Sequence, residues 1–266
     1  MAPPSKYQDP YFDFLILNDK VHLLRASFAL RYEVYCEDQK FLPAEDYPDK
    51  KETDEFDPYS THIGVLNKKD HNIIGAVRIV KPSLLGLPMD RHCVYDTEFF
   101  RQLGYDHPHQ LLHGPTSAEI SRLVVSPAYR RRANDGRYAL SEDTQRRPPA
   151  GMQERRHTNR PVITLGIFKM IYQCCKRHNI THLLSAMEPQ LVRSLARWQV
   201  VFNPIGPEID YYGPVTPYML EVADVDRQMG SNMPDLMEEW LDELEPEYTS
   251  WFSNSESIFV KSASGH

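Results

Sequence analysis

The chain has 266 residues, 41% hydrophobic and 25% charged. That is ordinary globular usage, so a sizeable core is possible and wholesale disorder is excluded. A net charge of −7 argues against nucleic-acid binding by the molecule as a whole.

No apolar run approaches the roughly 18 residues that span a bilayer. Met1 to Lys6 lacks the pattern of a signal peptide. Cys36, Cys93, Cys174 and Cys175 have neither disulfide-framework nor metal-like spacing. A reduced, cytoplasmic protein is the expectation.

Residues 1–11 are polar and Pro-rich and are expected to form a flexible arm. Phe12 to Leu17 reads as a first strand. Lys20 to Glu37 places Val21, Leu24, Phe28, Tyr32 and Tyr35 at the spacing of one helix face. Residues 42–58 are acidic and carry three prolines, which predicts a loop with short helical turns. Thr61–Leu66 and Ile73–Val80 are β-rich and read as a hairpin. Residues 81–117 look like a long insertion. Glu119–Ser126 is the next strand, and 127–160 is a second, Arg-rich insertion with a mobile loop expected over 133–158.

Pro161 opens an apolar helix to about His178, whose last turn carries Lys176 and Arg177. Thr181–Met187 reads as a strand and Pro189–Trp198 as a helix. Val200–Ile205 and Pro217–Val222 are closing strands. Within the acidic stretch 224–266, Asp235–Leu244 is an amphipathic helix docked on its Leu and Met face. This order predicts an α/β fold: a mixed sheet flanked by helices, in one domain over 12–223.

Three clusters carry chemistry. Glu119-Ile120-Ser121-Arg122 stands at the start of the central strand, where a carboxylate can act as a general base. Strand alternation puts Glu119 and Ser121 on one face and Arg122 on the other. Asp54-Glu55-Phe56-Asp57 could bind a cation, ligate a metal or pair with Arg31 and Arg78. The third cluster, Leu123 to Arg132, runs from a strand into a basic turn of the kind that cradles phosphate. Structural ion pairs and a solvated basic loop remain open readings of the same residues.

Arg31, Tyr35, Phe41, Asp54, Asp57, Arg78, Glu119 and Arg122 fall in the order and near-spacing of the acyl-homoserine-lactone (autoinducer) synthase signature. The stretches Arg31–Cys36, Asp54–Ser60, Glu119–Arg122, Ala186–Pro189 and Ile205–Pro214 resemble one branch of that family more closely. That branch comprises the exosortase-system-associated acyltransferases and the N-acyl amino acid synthases. The resemblance covers roughly residues 12–222. It implies the fold of the GCN5-related N-acetyltransferases (GNAT) and transfer of an acyl group from a carrier thioester to an amine.

By the same resemblance Glu119 accepts the amine proton. The backbone N–H near Val125 contacts the thioester carbonyl. A tyrosine among Tyr211, Tyr212 and Tyr218 protonates the departing thiol, with Tyr211 put forward first. Arg31, Tyr35, Phe41, Asp54, Asp57, Arg78, Ser121 and Arg122 shape the acceptor site. Ser126, Arg130, Arg131 and Arg132 meet the pantetheine arm or its carrier. No tightly bound cofactor and no metal are implied.

Acetyl-CoA-using relatives carry paired glycines after the central strand, and this chain does not. That favours acyl carrier protein over free CoA as donor. Charge agrees, because residues 122–160 hold ten arginines against four acids on an acidic chain. Tyr35 and Phe41 stand where autoinducer synthases usually have Phe and Trp. A free amino acid is therefore the expected acceptor, with S-adenosylmethionine as the alternative. A non-catalytic carrier-binding module and a metal hydrolase built on Cys93, His107, His109 and His113 are the competing classes.

Overall fold

The computed structural model describes residues 6–106, 108–129, 161–211, 213–249 and 251–252. Arg130, Arg131, Arg132, Tyr212, His107 and the expected loop over 133–158 lie outside them.

The strands are β1 (Phe12–Ile16), β2 (Ser60–Asn67), β3 (Ile73–Val80), β4 (Ser117–Val125), β5 (His182–Met187), β6 (Asn203–Pro204), β7 (Ile209–Asp210) and β8 (Pro214–Glu221). They form a mixed sheet in the order β1-β2-β3-β4-β5-β8-β6, with β7 paired to β8. Among the described residues only β4 and β5 run parallel. A parallel pair needs a crossover, and α4 (Val162–Arg177) lies between them in the chain.

Helices cover both faces. On one side α4 packs with α6 (Val222–Asn232) and α7 (Pro234–Leu241) in the main core. Phe168 belongs to this core and Met170 packs against it. Gly166 lets α4 approach the sheet closely, since a Cβ there would meet the Phe14 ring at 2.1 Å. On the other side α1 (Val21–Tyr32) covers β1–β3, and the insertion with α2 (Thr97–Gln102) and α3 (Pro108–Leu112) covers β5 and β8.

Three expectations are corrected. First, the buried residues of α1 are Ser27, Leu30, Arg31 and Tyr32, continued by Val34, so Tyr32 of the expected face is buried while Val21 is exposed. The helix is turned because Arg31 buries its charge against two carboxylates, which hydropathy does not anticipate. Second, Val222 opens α6 rather than ending a strand, and Val225 and Met229 complete its apolar face. Third, the segment Val200–Ile205 keeps only a two-residue strand.

The C-terminal helices are integral to the packing. Trp240 is buried, and the Gln173 amide of α4 donates to the carbonyls of Trp240 and Asp242. Asp226 of α6 accepts from Tyr172 and Lys176 of α4. The Lys6 ammonium pairs with Glu238 on α7. All four cysteines are free and buried.

The insertion is seated on the segment that follows β6 by a close backbone approach. A Cβ on Gly206 would lie 2.1 Å from the Val94 carbonyl oxygen. Main-chain atoms cannot swing aside as a side chain can. Gly206→Ala is therefore expected to cost about 1–3 kcal/mol, measured by urea denaturation.

Candidate active site

The site lies on the α1 and insertion side of the sheet, at the centre of β4. The β4–β5 pairing runs from Ser117 opposite His182 to Glu119 opposite Leu184 and then stops, although both strands continue. This splay opens a pocket of about 100 Å³. Tyr35, Phe41, Met89, Cys93, Glu119, Arg122 and Tyr211 are among its walls. Ser126 N–H donates to the Ile74 carbonyl on β3. By alternation the Val125 N–H lies on the other edge of β4, the side on which β5 diverges.

Glu119 is buried at the pocket wall. Its Oε2 accepts the Met89 N–H at 2.9 Å, a bond supplied by the insertion. Among the described residues its Oε1 accepts none. Burial pushes the carboxyl up to about 8, against the lowering effect of the Met89 N–H and of Arg78. A carboxylate tuned near neutrality is suited to taking a proton and passing it on. The Cys93 thiol beside it is pushed up to about 12 by burial and by the charges of Glu119 and Asp90. It is therefore a neutral thiol under ordinary conditions.

Arg122 does not point away from Glu119, as alternation predicted. It sits at φ +54°, where β4 carries one extra residue against β3 between the Arg78–Ser121 and Ala76–Val124 pairs. Ala118 and Ile120 face the main core before this bulge, and Leu123 and Val125 face it afterwards. The side-chain parity of the strand flips, so Ser121 and Arg122 both reach the site face.

Beneath the pocket three arginines interlock with three acids. Arg31 donates to Glu52 at 2.5 Å and to Asp57 at 2.7 Å. Arg78 donates to Asp54 at 2.5 and 2.7 Å, to Asp57 at 2.7 Å and to the Ser121 hydroxyl at 2.9 Å. Arg122 donates to Glu52 and to Asp54, each at 3.1 Å. Side-chain exposures of 2% for Arg31, 0% for Glu52 and 1% for Arg78 make this a buried, charge-balanced block. Burial alone would raise the Asp57 carboxyl, but the charges of Arg31 and Arg78 outweigh it and hold it down to about 2.

The predicted site residues thus divide in two. Tyr35, Phe41, Glu119, Arg122 and Tyr211 line the pocket. Arg31, Asp54, Asp57, Arg78 and Ser121 form the block that supports it. Ser126 follows the end of β4 and is not among the pocket walls, and Tyr218 packs on the opposite face of the sheet. Tyr35 is delivered by a wide helical turn that continues α1 over Glu33–Asp38, in which Gln39 N–H bonds the Val34 carbonyl. The ring of Tyr35 lies 5.7 Å from the Arg122 guanidinium.

Sequence reasoning missed Glu52, which joins two of the three arginines, and its proximity to Asp54 was the available signal. It also missed His92, stacked on Tyr211 at 4.0 Å. Nothing in the sequence marks that pair. Among the described residues no three His, Cys, Asp or Glu side chains gather as metal ligands. Cys93 faces the pocket, whereas His113 lies 3.7 Å from Asp90. No helix of the described residues is long and apolar enough to cross a membrane.

Residues 30–137 match the acetyltransferase (GNAT) domain family. The solved structures with this fold include autoinducer synthases and an N-acyl amino acid synthase, in agreement with the branch that the motifs resemble. FeeM, an N-acyl amino acid synthase from uncultured soil microbes, superposes with a TM-score of 0.51 at 18% identity, over 83% of this chain and 96% of its own. The CoA-dependent acyl-homoserine lactone synthase BjaI, bound to SAM and isopentyl-CoA, gives 0.50 at 15% identity over 83% and 88%. The AHL synthase LasI gives 0.50 at 15% over 80% and 90%. At these identities the likeness is one of fold. No curated protein matches the sequence.

Proposed function

We propose that the chain moves an acyl group from a phosphopantetheine thioester, carried by acyl carrier protein, to the amine of an amino acid. The product is an N-acyl amino acid. The observation that carries this reading is the buried carboxylate of Glu119 at the wall of a pocket opened by the β4–β5 splay.

The neutral amine attacks the thioester carbonyl, so a C–N bond forms and the C–S bond breaks. Glu119 takes the proton that the nitrogen sheds. The Val125 N–H is the donor toward the carbonyl oxygen as charge develops on it. The departing thiolate takes a proton from Tyr211, whose ring lines the same pocket. The thioester is already activated, so no nucleophilic side chain is required.

An amino acid acceptor is preferred to S-adenosylmethionine on the altered aromatics, Tyr35 and Phe41, which line the pocket. FeeM, with the same fold, is an N-acyl amino acid synthase. The carrier-protein donor rests on the Arg-rich stretch 122–160 and the missing paired glycines.

The test is mass spectrometry of organic extracts from bacteria expressing the chain, against an empty vector. A new series of acylated amino acids is expected, and it would name acyl chain and acceptor together. An acylated homoserine lactone in its place would overturn the acceptor.

A further inference from the structure

Two pieces of chain meet across the mouth of the pocket. One is the turn of the insertion over Pro88–Arg91, which ends on His92. The other is the hairpin joining β7 to β8, whose turn carries Tyr211. Both side chains are pocket walls. Their rings stack with centroids 4.0 Å apart and planes 23° apart. His92 is exposed and Tyr211 half-buried, so the pair bridges the rim of the pocket.

Tyr211 follows a strand of only two residues, and its N–H turns back onto the Gly213 carbonyl at 3.0 Å. Gly213, at φ +111°, donates its own N–H to the Asp210 side chain. Such a turn sets the path of the backbone and leaves the ring rotamer to what packs on it. The His92 imidazole covers one face of that ring. Burial and the charges of Arg91 and Arg122 push this imidazole below its ordinary value, so it meets the phenol as a neutral ring at neutral pH.

The main chain of one residue ties the stack to the base. Met89 N–H donates to Glu119 at 2.9 Å, and the Met89 carbonyl accepts the His92 N–H at 3.1 Å. The turn that grips the proton acceptor thus also places the ring that covers Tyr211. From this arrangement, and resting on the acyl-transfer reading above, we infer that His92 is a positioning residue for departure of the thiol. Its ring holds Tyr211 so that the phenol hydrogen reaches the sulfur. As the C–S bond breaks, its electron pair goes to sulfur and the Tyr211 hydroxyl supplies the proton. The phenolate, close enough to Arg122 for their charges to interact, recovers a proton from water. His92 itself gives and takes no proton.

The experiment measures the single-turnover rate of the full chain with dodecanoyl acyl carrier protein and a mixture of the standard amino acids. The variants are His92→Ala, His92→Phe, Tyr211→Phe and the double variant His92→Ala/Tyr211→Phe, each with its melting temperature. His92→Ala is expected to slow the chemical step about 3- to 10-fold, the worth of an aromatic pair, with KM for the donor unchanged. His92→Phe keeps a ring without a titratable nitrogen and is expected to recover most of that loss. Tyr211→Phe is expected to cost about 100-fold. In that background His92→Ala is expected to cost nothing more, because the hydroxyl it places is gone.

Losses that multiply in the double variant would show a role independent of the Tyr211 hydroxyl and overturn the inference. His92→Phe as slow as His92→Ala would overturn it too, since the imidazole would then act by its own nitrogen. A Tyr211→Phe variant as fast as wild type would remove both the acid and its positioning residue and leave acyl transfer standing. No acylated product from wild type would overturn the transfer reading itself, and the inference with it.

Discussion

Glu119→Gln is expected to lower kcat/KM about 100- to 10,000-fold, the usual worth of a positioned general base. The substitution is nearly isosteric, and its side-chain carbonyl can still accept the Met89 N–H, so the fold should survive. The pH profile distinguishes a base from a merely structural carboxylate. Only the ionised carboxylate takes a proton, and burial holds its pKa up to about 8. Wild-type kcat/KM should therefore climb with pH through about 8, and the residual activity of Glu119→Gln should lack that inflection. Unchanged turnover in the variant would remove the assignment.

The same carboxyl predicts a stability change of opposite sign. Between its ordinary range and about 8 the folded state holds a proton that the unfolded state has released. Stability from this group is full below that range and falls as pH rises through about 8. At pH 8 or above, Glu119→Gln should be more stable than wild type by on the order of 2 kcal/mol. An inactive but stabilised variant would mark Glu119 as a residue kept for chemistry at the expense of the fold.

Arg78→Met is expected to destabilise by about 3–5 kcal/mol, read from the midpoint of urea denaturation. Methionine fills much of the arginine volume, so the loss is not chiefly a cavity. It leaves the block's three acids with two arginines, because Asp54 and Asp57 lose their common donor and keep only Arg122 and Arg31 respectively as arginine partners. In wild type, Asp57 is held down to about 2. Its contribution is present at neutral pH and is lost as pH falls from the ordinary carboxylate range through about 2. Removing Arg78 moves that acid limb upward, so the variant should also unfold at a higher pH on acidification. A variant as stable as wild type would show that the block does not hold the site together.

Regular stretches of chain were legible from the sequence because local rules govern them. The β2–β3 hairpin follows from two β-rich runs and a polar six-residue link, and α4 from an apolar run opened by Pro161 and closed by basic residues. Features that depend on distant partners were not legible. The rotation of α1 is set by Glu52 and Asp57, which lie far from Arg31 in sequence. The placement of Arg122 depends on one extra residue in a strand whose composition looks unbroken. The arginines and acids of the supporting block could be named but not sorted, since residue type does not separate a pocket wall from the layer beneath it.

The donor that moderates Glu119 is a main-chain N–H, and this has an evolutionary consequence. No side-chain replacement at Met89 other than proline deletes that hydrogen. Residue 89 is therefore free to drift among side chains that fill its buried slot, without touching the proton affinity of the base. Selection would act instead on the shape of the turn: on Gly86, held at φ +73°, and on Asp90, whose carboxylate ties the Leu87 N–H. Among descendants of this chain, identity at 86 and 90 should outlast identity at 89.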